Sequence, residues 1–374
     1  MKYALDERAL ELPLREMEEL RRAVAEVPMT PTHQDWFRRR NWVRTIHGTT
    51  RIEGNTLSDD EVEEVLVDGP GDNVSRRDGL EIVNTRTATI FADEMSDNSK
   101  VSIDEALLRE IHRRVLADIA ELQRPGEYRR GENRVTDGEG NLIFSTPASG
   151  DLPDLMRQFG FWLRDGCEGR KGAIAAALAH LELVAIHPFN DGNGRTARLL
   201  ARTLLRRHGY QFRNLVSIDA QLDADRLNYF KAIRAAVGQH YLPGYDATPF
   251  VAFFVSAVSA SIRYTLERIA VFNRVVDLLR ENAAKGRIPA GSLDPLAYTW
   301  VNRSIRPARY REMTGRTPQL TTYDLGRLNE IGFLEATGKT KRRRHLIGPA
   351  LEELGEKAMS QPEPKSETER DIVG

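Results

Sequence analysis

The chain is 374 residues long, which is enough for two or three domains of ordinary size. Hydrophobic residues make up 40% and charged residues 29%, as in a folded globular protein. Lys and Arg number 54 against 55 Asp and Glu, so the net charge of -1 excludes a whole-chain attraction to nucleic acid or membrane. Any basic binding site must be local.

The cysteine content and the N-terminus favour a cytoplasmic protein. Cys167 is the only cysteine, which excludes an intramolecular disulfide framework and a metal site built from several thiolates. Asp6, Glu7 and Arg8 interrupt the N-terminal segment before any apolar stretch could serve as a signal peptide. Because we find no run of about 18 apolar residues, we expect no segment that crosses a membrane.

Amphipathic helices follow one another along the chain, so we predict a mainly α fold. Ser58, followed three residues later by Glu61, predicts the start of a short helix through a capping box. The apolar spacing predicts further helices over residues 9–26, 32–47, 75–97, 103–118, 152–165, 171–186, 193–208, 222–237 and from 249 to about 279.

Between Glu127 and Pro147 the helical pattern gives way to two short β-prone pieces. Their connection, Asp137–Asn141, contains glycine, so this segment predicts a β-hairpin. Strand-like alternation returns in one other place, near residue 340.

The C-terminal segment predicts a winged helix-turn-helix. Three short helices, over 295–303, 307–313 and 318–331, precede two β-prone pieces around a basic turn. In that fold the third helix can enter a DNA major groove while the wing contacts phosphate. The alternative is a protein-docking domain whose basic turn is only a solvated loop. The basic residues of the predicted wing are Lys339, Lys341, Arg342, Arg343 and Arg344.

The stretch HPFNDGNGRTAR, His187 to Arg198, spaces two glycines and an alanine as G-x-G-x-x-A. A dinucleotide-binding turn with this spacing needs a hydrophobic strand before it and an acidic residue about 20 positions beyond it. The preceding segment instead has the spacing of an Ala- and Leu-rich helix, and no βαβ alternation surrounds it. We therefore interpret the stretch as a loop between two helices.

That loop has the features of an anion site. Pro188 cannot comfortably continue the preceding helix, so the chain leaves it at His187. Gly192, Asn193 and Gly194 then open the next helix with uncapped backbone N–H groups, which attract phosphate.

The charged residues of the loop complete a set for transfer of a phosphoryl-linked group. Arg195 and Arg198 are three apart, so they share one helix face and indicate a ligand with more than one phosphate. Asp191 offers a hard oxygen for Mg²⁺. His187 has a side chain whose usual pKa suits it to take a proton from an attacking hydroxyl. Each of these residues alone has an ordinary structural explanation. Their occurrence together within the twelve residues from His187 to Arg198 favours the functional interpretation.

The same twelve residues resemble the signature of Fic-domain proteins, His-Pro-Phe-x-Asp-Gly-Asn-Gly-Arg-x-x-Arg, at every fixed position. The resemblance implies a helical bundle with a short β-hairpin flap, and transfer of AMP from Mg-ATP to a hydroxyl side chain. It implies that His187 is the general base and Asp191 the metal ligand. Asn193 and its neighbouring N–H groups would hold the α-phosphate, and Arg195 with Arg198 the β- and γ-phosphates.

A second stretch, TTRIEGN, resembles the inhibitory motif of the same family, with Thr49, Glu53 and Gly54 in register. The resemblance implies that Glu53 pairs with Arg198 and keeps the γ-phosphate from seating productively. A carboxylate beside Arg198 would compete with phosphate for the same guanidinium and repel the nucleotide. The chain is thus similar to members that carry inhibition in their N-terminal region.

Two further features follow from the resemblance. The predicted hairpin corresponds to the flap that aligns the target segment by main-chain pairing, although Ser145-Thr146-Pro147 replaces the expected double proline. Tyr229 and Phe230 resemble an aromatic pair that lines the nucleotide site, and helix-face core packing is the alternative for both.

We predict five segments: an N-terminal helical region with the inhibitory motif (1–100), a catalytic core (101–240), a helical extension (241–285), the winged helix-turn-helix (286–355) and a disordered tail (356–374). The expected substrates are ATP with Mg²⁺ and a protein, or the chain itself, with a Tyr, Ser or Thr hydroxyl. We expect no membrane partner, and we keep open a DNA or protein contact of the winged helix and a homodimer.

Three alternatives remain at this level. The site could remove AMP, with Glu53 orienting water, or it could transfer UMP or another phosphate-linked group. The third alternative is a DNA-binding regulator whose core senses nucleotide.

Overall fold

The computed structural model describes residues 1–72, 74–119, 124–136, 142–166, 169–289, 291–338 and 343–360. Two compact units divide the chain. The first comprises Met1–Val27 with Asn41–Arg263, and the second Pro28–Arg40 with Tyr264–Gly374. This division differs from the predicted boundaries at 100, 240 and 285.

The first unit is almost entirely helical, which confirms the predicted mainly α class. Its helices are α1 (Glu7–Glu26), α2 (Pro31–Ile52), α3 (Asp59–Asp68), α4 (Arg76–Asp97), α5 (Glu105–Val115), α6 (Leu152–Phe161), α7 (Gly172–Ile186), α8 (Asn193–Arg207), α9 (Ile218–Ala224), α10 (Arg226–Val237) and α11 (Thr248–Ala284), with the unit division falling inside α2 and α11.

The centre of this unit is the pair α7 and α8. All but one of the fifteen residues of α7 are buried, because its Ala- and Leu-rich sequence has no polar face. Gly172 lets the start of α7 approach its neighbour closely, since a Cβ there would lie 2.3 Å from the Cβ of His208. Helix α8 also packs against α4 and α5, so the N-terminus of α8 is held by a rigid core. Packing of α4 against α5 leaves no domain boundary at residue 100.

Four short strands complete the first unit. Strands β2 (Arg134–Thr136) and β3 (Leu142–Ser145) form the predicted antiparallel hairpin, and their connection at 137–141 lies outside the described residues. Strands β1 (Tyr3–Ala4) and β4 (Tyr245–Asp246) form a parallel pair that the sequence did not predict.

The observed helix ends agree with some of the ends predicted from local sequence signals and differ from others. The capping box is present, because the Ser58 hydroxyl accepts from the Glu61 N–H while the Glu61 carboxylate accepts from the Ser58 N–H. Helix α2 runs five residues beyond its predicted end, through the TTRI segment, and Gly54 (φ 98) follows it. The predicted helix over 222–237 is interrupted at Asp225, whose backbone (φ -112, ψ 36) is not helical.

Among its described residues, the second unit contains four short helices and a small sheet beyond α11. In chain order they are α12 (Leu293–Asn302), β5 (Ser304–Ile305), α13 (Pro307–Thr314), α14 (Pro318–Glu330), β6 (Leu334–Thr337), β7 (Arg344–Ile347) and α15 (Pro349–Ser360). The strands form one antiparallel sheet in the order β5-β7-β6.

The predicted disordered tail and the predicted basic wing lie only partly within the described residues. Helix α15 covers the first five residues of the predicted disordered tail, and 361–374 lie outside the described residues. Lys339, Lys341 and Arg342 of the predicted wing also lie outside them, as does Cys167.

Helix α11 bears on the expectation that no segment crosses a membrane, which stays a prediction. By length and composition it is apolar enough to span a bilayer, with a mean hydropathy of 1.3 over its most apolar window. Of that window, 56% is buried inside the protein, as is common for a core helix of a soluble protein.

Candidate active site

His187 terminates α7 with an unusual backbone. Its left-handed conformation (φ 50, ψ 57) is rare for a residue other than glycine, and the following Pro188 disfavours a continued helix. Its N–H donates to the Leu183 carbonyl at 2.9 Å, which completes the last turn. Nδ1–H donates to the Val184 carbonyl at 3.3 Å, and this tautomer leaves the lone pair on Nε2. Burial lowers the pKa of His187, so the ring is neutral and can accept a proton.

Arg129 and His112 hold the loop that follows His187 by its carbonyls. Arg129 Nε donates to the His187 carbonyl at 2.9 Å. His112 Nε2–H donates to the Asp191 carbonyl at 2.9 Å, while its Nδ1 accepts from the Gly126 N–H at 2.8 Å. The His112 ring also stacks on Phe189 at a centroid distance of 3.6 Å. Burial lowers the pKa of His112 to about 4, so the ring stays neutral and keeps this pattern.

Asn193 closes the loop from inside. Its side-chain amide donates to the Phe189 carbonyl at 2.8 Å and its Oδ1 accepts from the Phe189 N–H at 3.0 Å. The Asn193 side chain, which the resemblance assigned to the α-phosphate, therefore serves the loop in this structure. Its backbone N–H remains with those of the helix N-terminus.

The N-terminus of α8 is uncapped. Gly192, in a left-handed conformation (φ 75), precedes the helix and has no side chain to cap it. The first N–H bonded within the helix is that of Thr196, which leaves those of Asn193, Gly194 and Arg195 without a partner in the helix. Such N–H groups and the helix dipole favour an anion at this position.

Arg195 is fully buried beneath this N-terminus, between two acids. Its Nη2 donates to Asp191 Oδ1 at 3.3 Å, and its Nη1 lies 3.5 Å from Glu81 Oε1. Within the described residues Nε and Nη1 of Arg195 have no hydrogen-bond partner. Arg77 contacts the same two acids, with Nη2 3.2 Å from Asp191 Oδ2 and Nε 3.2 Å from Glu81 Oε1.

Arg198, also buried, faces different partners. Its Nε donates to Thr49 Oγ1 at 2.7 Å, and its Nη2 donates to Glu53 Oε1 at 2.7 Å and to the Thr49 carbonyl at 2.9 Å. Asp219 Oδ1 lies 3.6 Å from Nε. Burial opposes the charge of Arg198, but Glu53 and Asp219 outweigh it and raise its pKa. Nη1 of Arg198 is buried without a partner among the described residues.

Gly194 makes room for the carboxylate of Glu53. A Cβ on Gly194 would lie 2.2 Å from Glu53 Oε1 and 3.2 Å from Arg198 Nη1. Glu53 thus rests directly on the first turn of α8, beside the uncapped N–H groups. The predicted pairing of Glu53 with Arg198 is present, whereas Arg195 pairs with Asp191 and Glu81, and a ligand shared by the two arginines stays a prediction.

Of the predicted aromatic pair, Tyr229 lies in the core and Phe230 at the surface. Tyr229 is buried, with its hydroxyl hydrogen-bonded to His180 Nε2 at 3.0 Å and close to Arg198. Burial lowers the pKa of His180 to about 3 and raises that of Tyr229 to about 12. Phe230 is 45% exposed and contacts the Tyr229 ring and the Arg226 guanidinium. A nucleotide-lining role stays a prediction for both.

Comparison with known proteins places this geometry in a family. Residues 102–205, which include the whole loop and α8 up to Leu205, match the Fic/DOC family. This segment of the chain is a Fic domain. Glu53 lies outside the matched Fic segment.

Curated Fic relatives and solved Fic structures extend the likeness. The chain is 31% identical over 254 residues to the Aedes aegypti protein named Protein adenylyltransferase Fic, which covers 66% of this chain and 46% of that protein. A namesake from Drosophila mojavensis is 30% identical over 292 residues, covering 76% and 53%. The chain therefore spans about half the length of these relatives.

Two crystallographic relatives support the Fic fold. A Fic family protein from Desulfovibrio desulfuricans G20 aligns with a TM-score of 0.59 and 24% identity, covering 91% of this chain and 96% of that one. Fic-1 from C. elegans (residues 134–508) aligns with a TM-score of 0.57 and 25% identity, covering 69% and 72%.

The Fic site has one candidate metal ligand, Asp191. Its Oδ1 accepts from the Gly192 N–H at 2.5 Å and from Arg195, whereas Oδ2 is contacted by the exposed Arg77 at 3.2 Å. Within the described ranges no group of three His, Cys, Asp or Glu side chains could hold a metal alone. A single carboxylate oxygen fits Mg²⁺ when phosphate and water supply the other ligands, as is usual for this ion.

Sequence reasoning missed the residues that support the loop and Arg195. His112 and Arg129 bind main-chain carbonyls 79 and 58 positions away, and Glu81 meets Arg195 through the packing of α4 on α8. Carbonyls carry no sequence signal, so a single sequence gives no means of finding these partners. The one available hint was that the predicted helix over 103–118 places a histidine on its apolar face.

Proposed function

We propose that this Fic protein is an autoinhibited protein adenylyltransferase that transfers AMP from Mg-ATP to a hydroxyl side chain of a target protein or of itself. The observation that carries the proposal is the first turn of α8. Among the described residues the buried Nη1 of Arg198 lacks a hydrogen-bond partner there, beside uncapped N–H groups, and the carboxylate of Glu53 binds Nη2 of Arg198 and rests against Gly194. This is a polyphosphate site with an internal anion in it.

The chain's own residues can perform the transfer in one displacement. His187 Nε2 takes the proton of the acceptor hydroxyl, and the hydroxyl oxygen attacks the α-phosphorus of ATP. The new O–P bond forms as the bond between the α-phosphorus and the α,β-bridging oxygen breaks, and pyrophosphate leaves. The N–H groups of Asn193 and Gly194 would stabilise charge on the α-phosphate, and Arg195 charge on the leaving pyrophosphate.

Asp191 would hold Mg²⁺ through Oδ2. The bound ion would neutralise phosphate charge and orient the leaving group. The chain's contribution is to aim that oxygen, which the contacts of Oδ1 with Gly192 and Arg195 achieve.

Glu53 supplies the proposed inhibition. Its carboxylate occupies one Nη of Arg198 and presents negative charge where a terminal phosphate would bind. A nucleotide that binds in its presence meets both a steric and a charge conflict, and its triphosphate cannot use Arg198.

The names of the relatives agree with this activity. The proteins from Aedes aegypti and Drosophila mojavensis are both named Protein adenylyltransferase Fic. Because the chain spans only about half of their length, their activity supports the proposal for this chain rather than establishing it.

The test is labelling with ATP that carries the label in its α-phosphate. We expect Glu53→Gly to raise incorporation of AMP into the protein itself or into lysate proteins well above the parent. Adding His187→Ala should then lower it about 10²–10⁴-fold, the usual contribution of a general base. A Glu53→Gly variant that binds ATP but labels nothing would contradict the proposal. ATP labelled only at the γ-phosphate is the control, because AMP transfer leaves that label in pyrophosphate.

We further propose that residues 293–347 form a winged helix. The supporting observation is the order of elements, helix, strand, two helices and two strands, with the last strand, β7, in the middle of the sheet. In such a domain α14 would be the helix available to a DNA groove. Contact with DNA or with a protein stays a prediction.

A further inference from the structure

Arg129 connects the loop of His187 to both ends of the β2–β3 hairpin. Besides the His187 carbonyl, its guanidinium donates to the Gly131 carbonyl (Nη1, 2.9 Å) and to the Pro147 carbonyl (Nη2, 2.6 Å). Its backbone N–H donates to the Pro188 carbonyl at 2.9 Å. Gly131 lies just before β2 and Pro147 just after β3, so one planar group fixes three segments of chain.

The environment of Arg129 is unusual for an arginine. The side chain is almost fully buried, and no carboxylate of the described residues forms an ion pair with it. Burial lowers its pKa, with only Glu132 acting in the opposite direction. Burying a charge without a counter-ion is costly, so these hydrogen bonds must offset that cost. A lysine would be easier to accommodate if only a positive charge were needed, but it cannot reproduce a planar fork.

The hairpin held by Arg129 lies next to the chain segment that carries His187. Because Nε and Nη2 belong to one guanidinium, the carbonyls of His187 and Pro147 lie on the same small group. On its other edge β3 is fixed at Ser145, whose N–H donates to the Gln239 carbonyl at 2.8 Å. The hairpin is therefore fixed beside the chain that carries the base, and we expect its position to influence how an acceptor hydroxyl reaches His187 Nε2.

We propose that Arg129 is a positioning residue that sets the register between the hairpin and the base His187, and thereby the alignment of the acceptor hydroxyl. This inference rests on the proposed transfer activity. Arg129 touches neither the first turn of α8 nor Arg195 or Arg198 in the contacts described above. Its loss should therefore lower the rate of transfer and leave nucleotide affinity unchanged.

The experiment compares Arg129→Lys with Arg207→Lys in the Glu53→Gly background. Arg207 is a matched control, since it also donates to main-chain carbonyls, those of Met95, Ser96, Asn98 and Val101, and burial also lowers its pKa. With α-labelled ATP and self-modification as the readout, we expect Arg129→Lys to lower kcat about 10–100-fold. KM for ATP should stay within about twofold, and Arg207→Lys should change neither by more than about twofold.

A second variant, Arg129→Met, separates charge from geometry. The groups that act on His187 are Arg129, which lowers its pKa, and Glu53 and Asp191, which raise it. Loss of the guanidinium charge should raise the pKa of His187, so the acidic limb of the rate–pH profile moves to higher pH in Arg129→Met. It should not move in Arg129→Lys or in Arg207→Met.

Two results would overturn the inference. One is an equal loss of kcat in the Arg129→Lys and Arg207→Lys variants, and the other is a loss that appears in KM for ATP. Amide hydrogen exchange of residues 134–145 tests the role of Arg129 without an activity assay. The exchange rate should rise in Arg129→Lys and stay unchanged in Arg207→Lys. If the Glu53→Gly parent transfers no AMP, the proposed function fails, and unchanged exchange in Arg129→Lys would independently reject the role of Arg129.

Discussion

Arg195 and Arg198 lie one turn apart on α8, yet their surroundings differ in a way that matters for control. Arg195 is paired with Asp191, from its own loop, and with Glu81, which is 6% exposed on α4. Arg198 is paired with Glu53, which is 26% exposed and follows α2. The buried acid Glu81 belongs to the helical scaffold, whereas Glu53, the acid closest to Arg198, is one that solvent can reach.

The difference indicates which contact can change without cost to the fold. Removing a buried partner leaves an uncompensated charge, whereas a partly exposed partner can be replaced by water or by a ligand. We therefore interpret Glu81 as part of the frame and Glu53 as the exchangeable element. Three experiments test this difference between the surroundings of the two arginines.

The largest expected effect is on stability, in matched Glu81→Gln and Glu53→Gln variants. Glu81→Gln weakens contacts with Arg195, Arg77 and Asn55 at once, so we expect the free energy of unfolding to fall by about 3 kcal/mol. Glu53→Gln should lower it by less than about 1 kcal/mol, because Asp219 and Thr49 still hold Arg198. Urea denaturation measures both. Equal losses in the two variants would remove the distinction between frame and exchangeable element.

A smaller effect is expected from Gly194→Ala, and its sign should depend on Glu53. In the parent the new Cβ collides with Glu53 Oε1, so the variant should lose about 1–2 kcal/mol of stability. In Glu53→Gly the obstacle is gone, and alanine in place of helical glycine should be neutral or stabilising by up to about 1 kcal/mol. The coupling is measured by thermal unfolding of the four proteins of this cycle. Additive changes would show that Glu53 does not rest on Gly194.

The smallest effect concerns Arg77, whose side chain is 65% exposed and contacts Asp191 Oδ2. Because Mg²⁺ would need that oxygen, Arg77 competes with the ion. Arg77→Ala in the Glu53→Gly background should lower the Mg²⁺ concentration needed for half-maximal ATP affinity by about 3–5-fold, as expected for an exposed ion pair. Calorimetric titration with ATP at graded Mg²⁺ tests this, with Arg51→Ala, whose ion pair is to Asp223, as the control. An unchanged or higher Mg²⁺ requirement would contradict the competition.

The sequence sufficed for the loop because its signals are local. Pro188 ends α7, Gly192 precedes α8, and both act within a few residues. The contact between Glu53 and Arg198, 145 positions apart, could be named only through the family resemblance. Nothing in either local stretch indicates that they meet.

The remaining differences arise where a side chain has two available partners. The spacing of Arg195 and Arg198 correctly puts both on α8, but the carboxylates that each one meets are set by α4 and α2. Asn193 could face a ligand or its own loop, and in the structure its side chain accepts one hydrogen bond from the Phe189 backbone and donates one to it. Such choices are decided by tertiary packing, which periodicity does not report.

The backbone around Glu53 has a consequence for how fast the proposed inhibition would be relieved. The Glu53 and Asn55 N–H groups both donate to the Thr50 carbonyl, and the Asn55 side chain donates to the Asp78 carbonyl and to Glu81. Hydrogen bonds therefore anchor the backbone around Glu53, whereas the Glu53 side chain is partly exposed to solvent. Rotation of the Glu53 side chain, a motion of picoseconds to nanoseconds, would be enough to withdraw its carboxylate from Arg198 without any hinge movement. We expect the block to act as a competition at equilibrium, in which nucleotide concentration rather than a slow opening step sets the active fraction.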